Sequence, residues 1–147
     1  TTESLLQALS VVGAPVVLDA ISAIESNEAP LIQSVDGASR AEKLSKDEGR
    51  IDWQDPSLKI ERKVRAFYPA PGAWTTLNGD TFKIHEAREL AKDGSLAAGT
   101  ILFEDGRVVV CTEEGVVELL TVQPAGKQSM TASEWARGIT LPLRFDA

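Results

Sequence analysis

Residues 41–74 read AEKLSKDEGRIDWQDPSLKIERKVRAFYPAPGAW, and the change of pattern inside this stretch decides the fold. Eight of the 15 basic residues (Arg40, Lys43, Lys46, Arg50, Lys59, Arg62, Lys63 and Arg65) lie in or beside its first 25 positions. Its second half carries start and stop signals of a helix. Asp55 is placed to accept from the free N–H groups of a first turn, and Pro56 suits the first helical position, where its missing N–H has no partner to lose. Ile60, Val64 and Phe67 then recur at i, i+4 and i+7, which makes one apolar stripe. With about 100° between successive residues, Arg62 and Arg65 fall on the opposite face and Lys59 and Lys63 flank the stripe. Pro69 and Pro71 end the helix. One face is therefore buried and the other offers cations. Those cations form either a solvated surface paired to Glu61 and its neighbours, or a ridge that contacts phosphates.

Beyond Trp74 the apolar period changes to two. Residues 73–77 run into Asn78-Gly79, a hairpin signal because both residues tolerate positive φ. Residues 81–89 alternate, with Phe82 and Ile84 on one face and Lys83 and His85 on the other. After a loop at Asp93-Gly94 come short runs at 99–103, 107–112 and 116–122, turned by Asp105-Gly106 and Glu114-Gly115. Thr131-Ala-Ser-Glu134 matches a capping box and opens a short helix that Gly138 can end. Residues 141–145 read as a closing strand. Strands this short and evenly spaced favour a small closed barrel over a sandwich.

Upstream, residues 1–12 place Leu5, Leu6, Leu9 and Val12 on one face, with Thr1 or Thr2 as cap and Gly13 as a left-handed close. Pro15 then opens a second helix, lined by Val16, Val17, Ala20, Ile21 and Ile24 and ending near Ser26-Asn27. Two apolar faces with only each other to pack on imply a larger body whose partner layer lies upstream. Residues 28–40, with Pro30 and Asp36-Gly37, read as a linker. The expected architecture is α+β and mainly β: a small β-barrel with flanking helices, preceded by a helical leader.

The chain has 147 residues, 43% hydrophobic and 25% charged, which suits one globular domain with an appendage. No apolar run approaches the roughly 18 residues that a membrane span needs. No basic stretch followed by an apolar core marks a signal peptide. The single cysteine, Cys111, sits in a strand-like VVVCT run and reads as a small buried thiol. A cytoplasmic location is expected. Net charge is −7, but it is segregated: residues 1–39 carry −5, residues 40–65 carry +2 and residues 66–147 carry −4. So mild a basic segment predicts modest nucleic-acid affinity.

Catalytic chemistry is absent from the pattern. His85 is the only histidine, in a strand and without a paired Asp or second His at useful spacing. One Cys and one His do not make a structural zinc site, and no phosphate-loop motif appears. The adjacent acids Asp47/Glu48 and Glu113/Glu114 read as solvated turns. The residues describe a binding or positioning module with no catalytic residue and no metal.

The run AEKLSKDEGRIDW at 41–53 closely resembles the segment entering the C-terminal domain of bacterial methionyl-tRNA formyltransferases. IERKVRAF at 60–67 with PAPGAW at 69–74 resembles that family's IxRxxRAFxPxPGxW. GTIL at 99–102 resembles PGTIL, with Ala98 in place of the usual proline. LTVQPAGK at 120–127 with Met130 resembles LxxLQPAGKKxM, with Gln128 replacing the second lysine. Residues 1–27 are similar to the helical end of the preceding formyltransferase domain. The motifs keep their order and cover essentially the whole chain.

The resemblance implies an enzyme that formylates the methionine amine of initiator methionyl-tRNA from 10-formyltetrahydrofolate. Its catalytic Asn, His and Asp lie in an N-terminal Rossmann-like domain. The expected division is therefore residues 1–27 as the last helices of that domain, 28–42 as linker and 43–147 as an OB-like tRNA-binding barrel, working as a monomer with its own catalytic half and no membrane. Carried over position by position, the implied tRNA contacts are Lys43 and Lys46 near the linker, Arg50, Arg62 and Arg65 on or near the helix, and Lys127 in the Gly-Lys loop. Arg62 or Arg65 could instead pair with Asp52 or Asp55, and Trp53, Phe67 and Trp74 are expected to anchor packing. Two rivals stand beside this reading: a same-fold domain of a sugar-nucleotide or folate formyltransferase, and a purely structural brace, which the acidic balance favours.

Overall fold

In chain order the sequence forms helix α1 (Thr2–Glu25), a 3₁₀ turn (Asp47–Gly49), helix α2 (Ser57–Phe67), strands β1 (Ala73–Leu77), β2 (Asp80–Leu90), β3 (Thr100–Glu104), β4 (Arg107–Cys111), β5 (Val116–Gln123) and β6 (Met130–Thr131), helix α3 (Ala132–Ala136) and strand β7 (Leu143–Arg144). This computed structural model describes residues 1–90, 92, 94, 96–140 and 143–146. The chain divides into two units, one of Glu3–Lys43 and the other of Leu44–Ala147 with the first two residues.

In the larger unit the strands form one antiparallel sheet in the order β1-β2-β5-β4-β3-β7. The two-residue partner β6 sits on the β4 side of β5, because β2 already occupies the other edge at Thr121 and Val122. The sheet nearly closes on itself. Past β7, the Asp146 N–H donates to the Thr76 carbonyl (2.9 Å) and the Gly79 N–H donates to Asp146 Oδ2 (2.8 Å), which joins the last strand back to β1. The expected mixed fold with a barrel-like sheet is the observed one.

Local chemistry explains the elements. Asn78 and Gly79 (φ 54° and 84°) and Asp105 and Gly106 (φ 51° and 77°) both occupy the left-handed region, as two-residue hairpin turns require. Thr131 and Glu134 make both bonds of the capping box that opens α3. The expected turn at Asp93-Gly94 and closing strand at 141–145 fall partly outside the described residues; Leu143 and Arg144 are extended.

The helix α2 starts later than its sequence suggests. Pro56, not Asp55, is the residue preceding it, and no side chain caps it. Instead, the Ser57 N–H donates to the Glu114 carbonyl (2.9 Å), so a tertiary contact satisfies an end group that Asp55 was expected to take. Asp55 is drawn to Lys59 (2.6 Å). The stripe of Ile60, Val64 and Phe67 is buried as expected, against Phe82, Ile84 and Val122 on the inner face of the sheet. Trp53 stacks on Phe145 (5.0 Å between centroids, 5° between planes) and its indole N–H donates to Thr75 Oγ1 (3.1 Å). Cys111 is a buried thiol.

Among the described residues one charged side chain is buried. Glu118, 5% exposed, accepts from Arg88 (2.6 Å) and faces Arg107 (3.9 Å) on the two neighbouring strands. Two guanidinium groups offset the desolvation of one carboxylate.

The smaller unit corrects the sequence reading. Residues 2–25 form a single helix, not two, with Gly13 and Pro15 inside it. Gly13 keeps helical backbone rather than the left-handed close. Pro15 subtracts one donor from the ladder but supplies no competing cap, so the turns on either side continue. None of its residues is buried. By length and composition α1 is apolar enough to cross a membrane, which corrects the expectation that no segment reaches that length. Residues 28–40 form no helix or strand and are exposed.

Candidate nucleic-acid interface

Alternation along β1 buries the small Ala73 and Thr75 and turns Trp74 outward, where it is half-buried. Register then builds a row on the outer face. Trp74 faces Lys83 across β1 and β2, and Lys83 faces Gln123 across β2 and β5. At just under 5 Å per strand the row spans about 10 Å.

Cations gather at the Trp74 end because the 3₁₀ turn returns the chain to β1. The Ile51 N–H donates to the Trp74 carbonyl (2.8 Å), and the Trp74 indole N–H donates to the Lys46 carbonyl (2.8 Å). This brings Lys46 Nζ to 5.7 Å and Arg50 Cζ to 5.9 Å from the centre of the ring. Lys63 reaches over from α2 and donates to the Arg50 carbonyl (2.8 Å). The turn is held by Ser45 and Glu48: the Ser45 N–H donates to Glu48 Oε2 (2.7 Å) and the Glu48 N–H donates to Ser45 Oγ (3.3 Å). The bond from the Ser45 backbone, helped by the Ser45 hydroxyl, lowers the Glu48 pKa. That carboxylate is thereby committed to the turn rather than to neutralising Lys46.

At the other end of the row, Gln123 Nε2 donates to the Lys127 carbonyl (3.0 Å) and fixes the loop that presents the exposed Lys127. His85 lies beside it at a bulge: Ile84 pairs with Val122 and Glu86 with Thr121, so His85 is the unpaired extra residue. Its ring tilts against Tyr68 (5.9 Å, 60°). Burial lowers its pKa first and the charge of Lys83 adds to this, while a hydrogen bond with Gln123 opposes both. His85 is neutral near pH 7 and adds no charge to the face.

The structure thus brings Lys46 and Arg50 together and links them through Trp74, Lys83 and Gln123 to Lys127. Arg62 and Arg65 are exposed on α2; Arg65 pairs with Glu61 (3.3 Å) rather than with Asp52 or Asp55. Asp52 instead accepts from the Gln54 N–H (2.9 Å). Lys43 is exposed and belongs to the smaller unit. Sequence reasoning missed Lys63, Lys83 and Trp74. The signal for Trp74 was the alternation itself, with small residues on both sides of a large one. Among the described residues no group of three His, Cys, Asp or Glu is arranged to hold a metal ion.

The family described as "Formyl transferase, C-terminal domain" matches residues 43–140. A methionyl-tRNA formyltransferase of Paenarthrobacter aurescens is 40% identical over 144 residues, which is 98% of this chain and 47% of that protein. One from Streptomyces coelicolor is 37% identical over 139 residues, 94% of this chain and 45% of that protein. The chain spans a little under half the length of the curated relatives it matches. Among solved structures, HypX from Aquifex aeolicus superposes with a TM-score of 0.63 at 23% identity, over 84% of this chain and 23% of that one. At that identity the likeness concerns the fold alone.

Proposed function

The chain belongs to the formyl transferase C-terminal domain family, and from that premise we propose that it is the part of a methionyl-tRNA formyltransferase that grips and positions initiator methionyl-tRNA. In this reading the formyl donor, 10-formyltetrahydrofolate, and the catalytic groups belong to the half of the relatives' length that this chain does not span. The region 43–147 acts as an OB-like barrel, 28–42 as linker and α1 as the last helix of the catalytic domain, whose apolar layer covers Leu5, Leu9 and Ile21. The enzyme works as a cytoplasmic monomer without membrane contact. One observation carries the proposal: Lys46, Arg50, Lys63, Lys83 and Lys127 share or adjoin one outer face, with a half-buried tryptophan among them. Long cations on phosphates give affinity that depends steeply on salt and reads little sequence.

The test is titration of labelled initiator tRNA, with an elongator tRNA as control, at several salt concentrations. Five phosphate contacts give a slope of roughly −4 in log affinity against log salt, and the double reversal Lys46→Glu with Arg50→Glu removes about 2 of it. Reversal of Lys43 with Lys46 weakens binding without unfolding the chain. The net charge of −7 favours a competing reading, a brace that never touches nucleic acid. No binding at low salt, to the chain or to the intact enzyme, establishes that reading and overturns this one.

A further inference from the structure

A cleft of about 300 Å³ lies between residues 50–54 and 144–146, at the Arg50 end of the cationic face. That volume suits a small planar molecule. Its inner wall includes the stacked pair Trp53 and Phe145, of which only 4% and 3% is exposed to the cleft and solvent. Its rim holds two guanidinium groups, Arg50 and Arg144, and two carboxylates, Asp52 and Asp146. The charges cancel, so the cleft does not select a bare anion.

Several rim groups already have partners. Asp146 accepts from the Gly79 N–H (2.8 Å), and Arg144 Nε donates to the Ala98 carbonyl (2.9 Å), which fixes the guanidinium at the mouth. The exposed residues of the rim are therefore of both kinds: Arg144 and the Gln54 amide can donate, and the Gln54 amide and the Asp52 oxygen not engaged by the Gln54 N–H can accept. A narrow apolar strip rimmed by donors and acceptors matches the edge of a nucleobase, which is flat, neutral and carries both kinds of group on one edge. Arg50 lines the cleft and also lies over Trp74, so a nucleotide seated here has its phosphate next to the Lys46–Arg50–Lys63 cluster.

The geometry points to a nucleotide subsite that takes one unpaired base of the bound tRNA. The identity of the donor strand rests on the tRNA reading above; the fit of a base to the cleft does not. Titrating the full ¹⁵N-labelled chain with each of the four ribonucleoside monophosphates, and with inorganic phosphate, tests it. At least one nucleotide is expected to shift the Trp53 indole, Gln54 amide and Arg144 Nε signals saturably, and Gln54→Ala, at an exposed position, to weaken that binding about tenfold. Lys46→Glu with Lys63→Glu weakens the nucleoside monophosphates, whose phosphate lies beside that cluster, as well as tRNA. If no nucleotide moves these signals, or phosphate alone reproduces the shifts, the subsite is refuted even where tRNA binds. If nucleotides fill the cleft and tRNA does not bind, the tRNA reading fails and the base site stands.

Discussion

Replacing Gly49 by alanine tests how the fold holds the cationic face in place. A Cβ built there lies 2.6 Å from the Gly72 carbonyl oxygen, 3.2 Å from Phe67 and 3.5 Å from Trp74. Ordinary contact begins near 3.4 Å, so the backbone must give by roughly 0.8 Å. Gly72 is poorly placed to yield, because its own N–H donates to the Phe67 carbonyl (3.0 Å) at the end of α2. The 3₁₀ turn must move instead, and that stretches two bonds: Ile51 N–H to Trp74 O and Trp74 indole to Lys46 O (both 2.8 Å). Two net hydrogen bonds at about 1 kcal/mol each, and the usual cost of overpacking, both give a loss of about 2 kcal/mol. For a unit of this size that is roughly 8 °C in Tm by calorimetry. The indole N–H resonance of Trp74 shifts in the same variant, since its acceptor has moved. Full stability together with an unchanged Trp74 signal would refute the reasoning, because the chain would then have absorbed a Cβ where the structure leaves no room.

Two further outcomes follow from particular residues. The folded state holds the His85 pKa below the ordinary 6.5, chiefly through burial. The unfolded chain therefore takes up the proton first, and the contribution of neutral His85, complete above about pH 6.5, declines as the pH falls below it. His85→Gln flattens the fall in Tm between pH 7 and 5; an unchanged slope contradicts it. Asp146, lowered by the Gly79 N–H, and Glu134, lowered by the Thr131 hydroxyl, act in a separate window, below the ordinary 3.8 and 4.5. In α1, Gly13 is helical with open space around it, so Gly13→Ala raises helix stability by up to about 1 kcal/mol, read by circular dichroism at 222 nm. A loss of helix signal would restore the left-handed close that the sequence suggests.

Strands and turns were legible because they follow local rules. Asn78-Gly79 and Asp105-Gly106 announce their own backbone geometry, and alternation assigned Phe82 inward and Lys83 outward. The start of α2 was not legible, because its first N–H, that of Ser57, is met by Glu114, more than 50 positions away. The single helix α1 was misread for the opposite reason: Gly and Pro are local breakers, and here both are carried by the helix around them. In the candidate interface, Lys46, Arg50 and Lys127 came from the family resemblance, position by position. Register was needed to add Lys83, since only the pairing of β1, β2 and β5 puts it between Trp74 and Gln123. Lys63 was assigned to the flank of an apolar stripe, and only the folded turn reveals that it ends on the Arg50 carbonyl.

The seam between the last strand and β1 also sets an order of assembly. The row from Lys46 to Lys127 is complete once residues up to 127 have emerged, whereas the cleft and the closure at Thr76 wait for residues 144–146. Contacts that span so much sequence close late, in the millisecond-to-second range for barrel topologies. During synthesis, then, the charged face exists before the barrel shuts. A chain interrupted ahead of its final strand keeps the cations while lacking one side of the cleft, and it leaves β1 with an open edge for other strands to pair with.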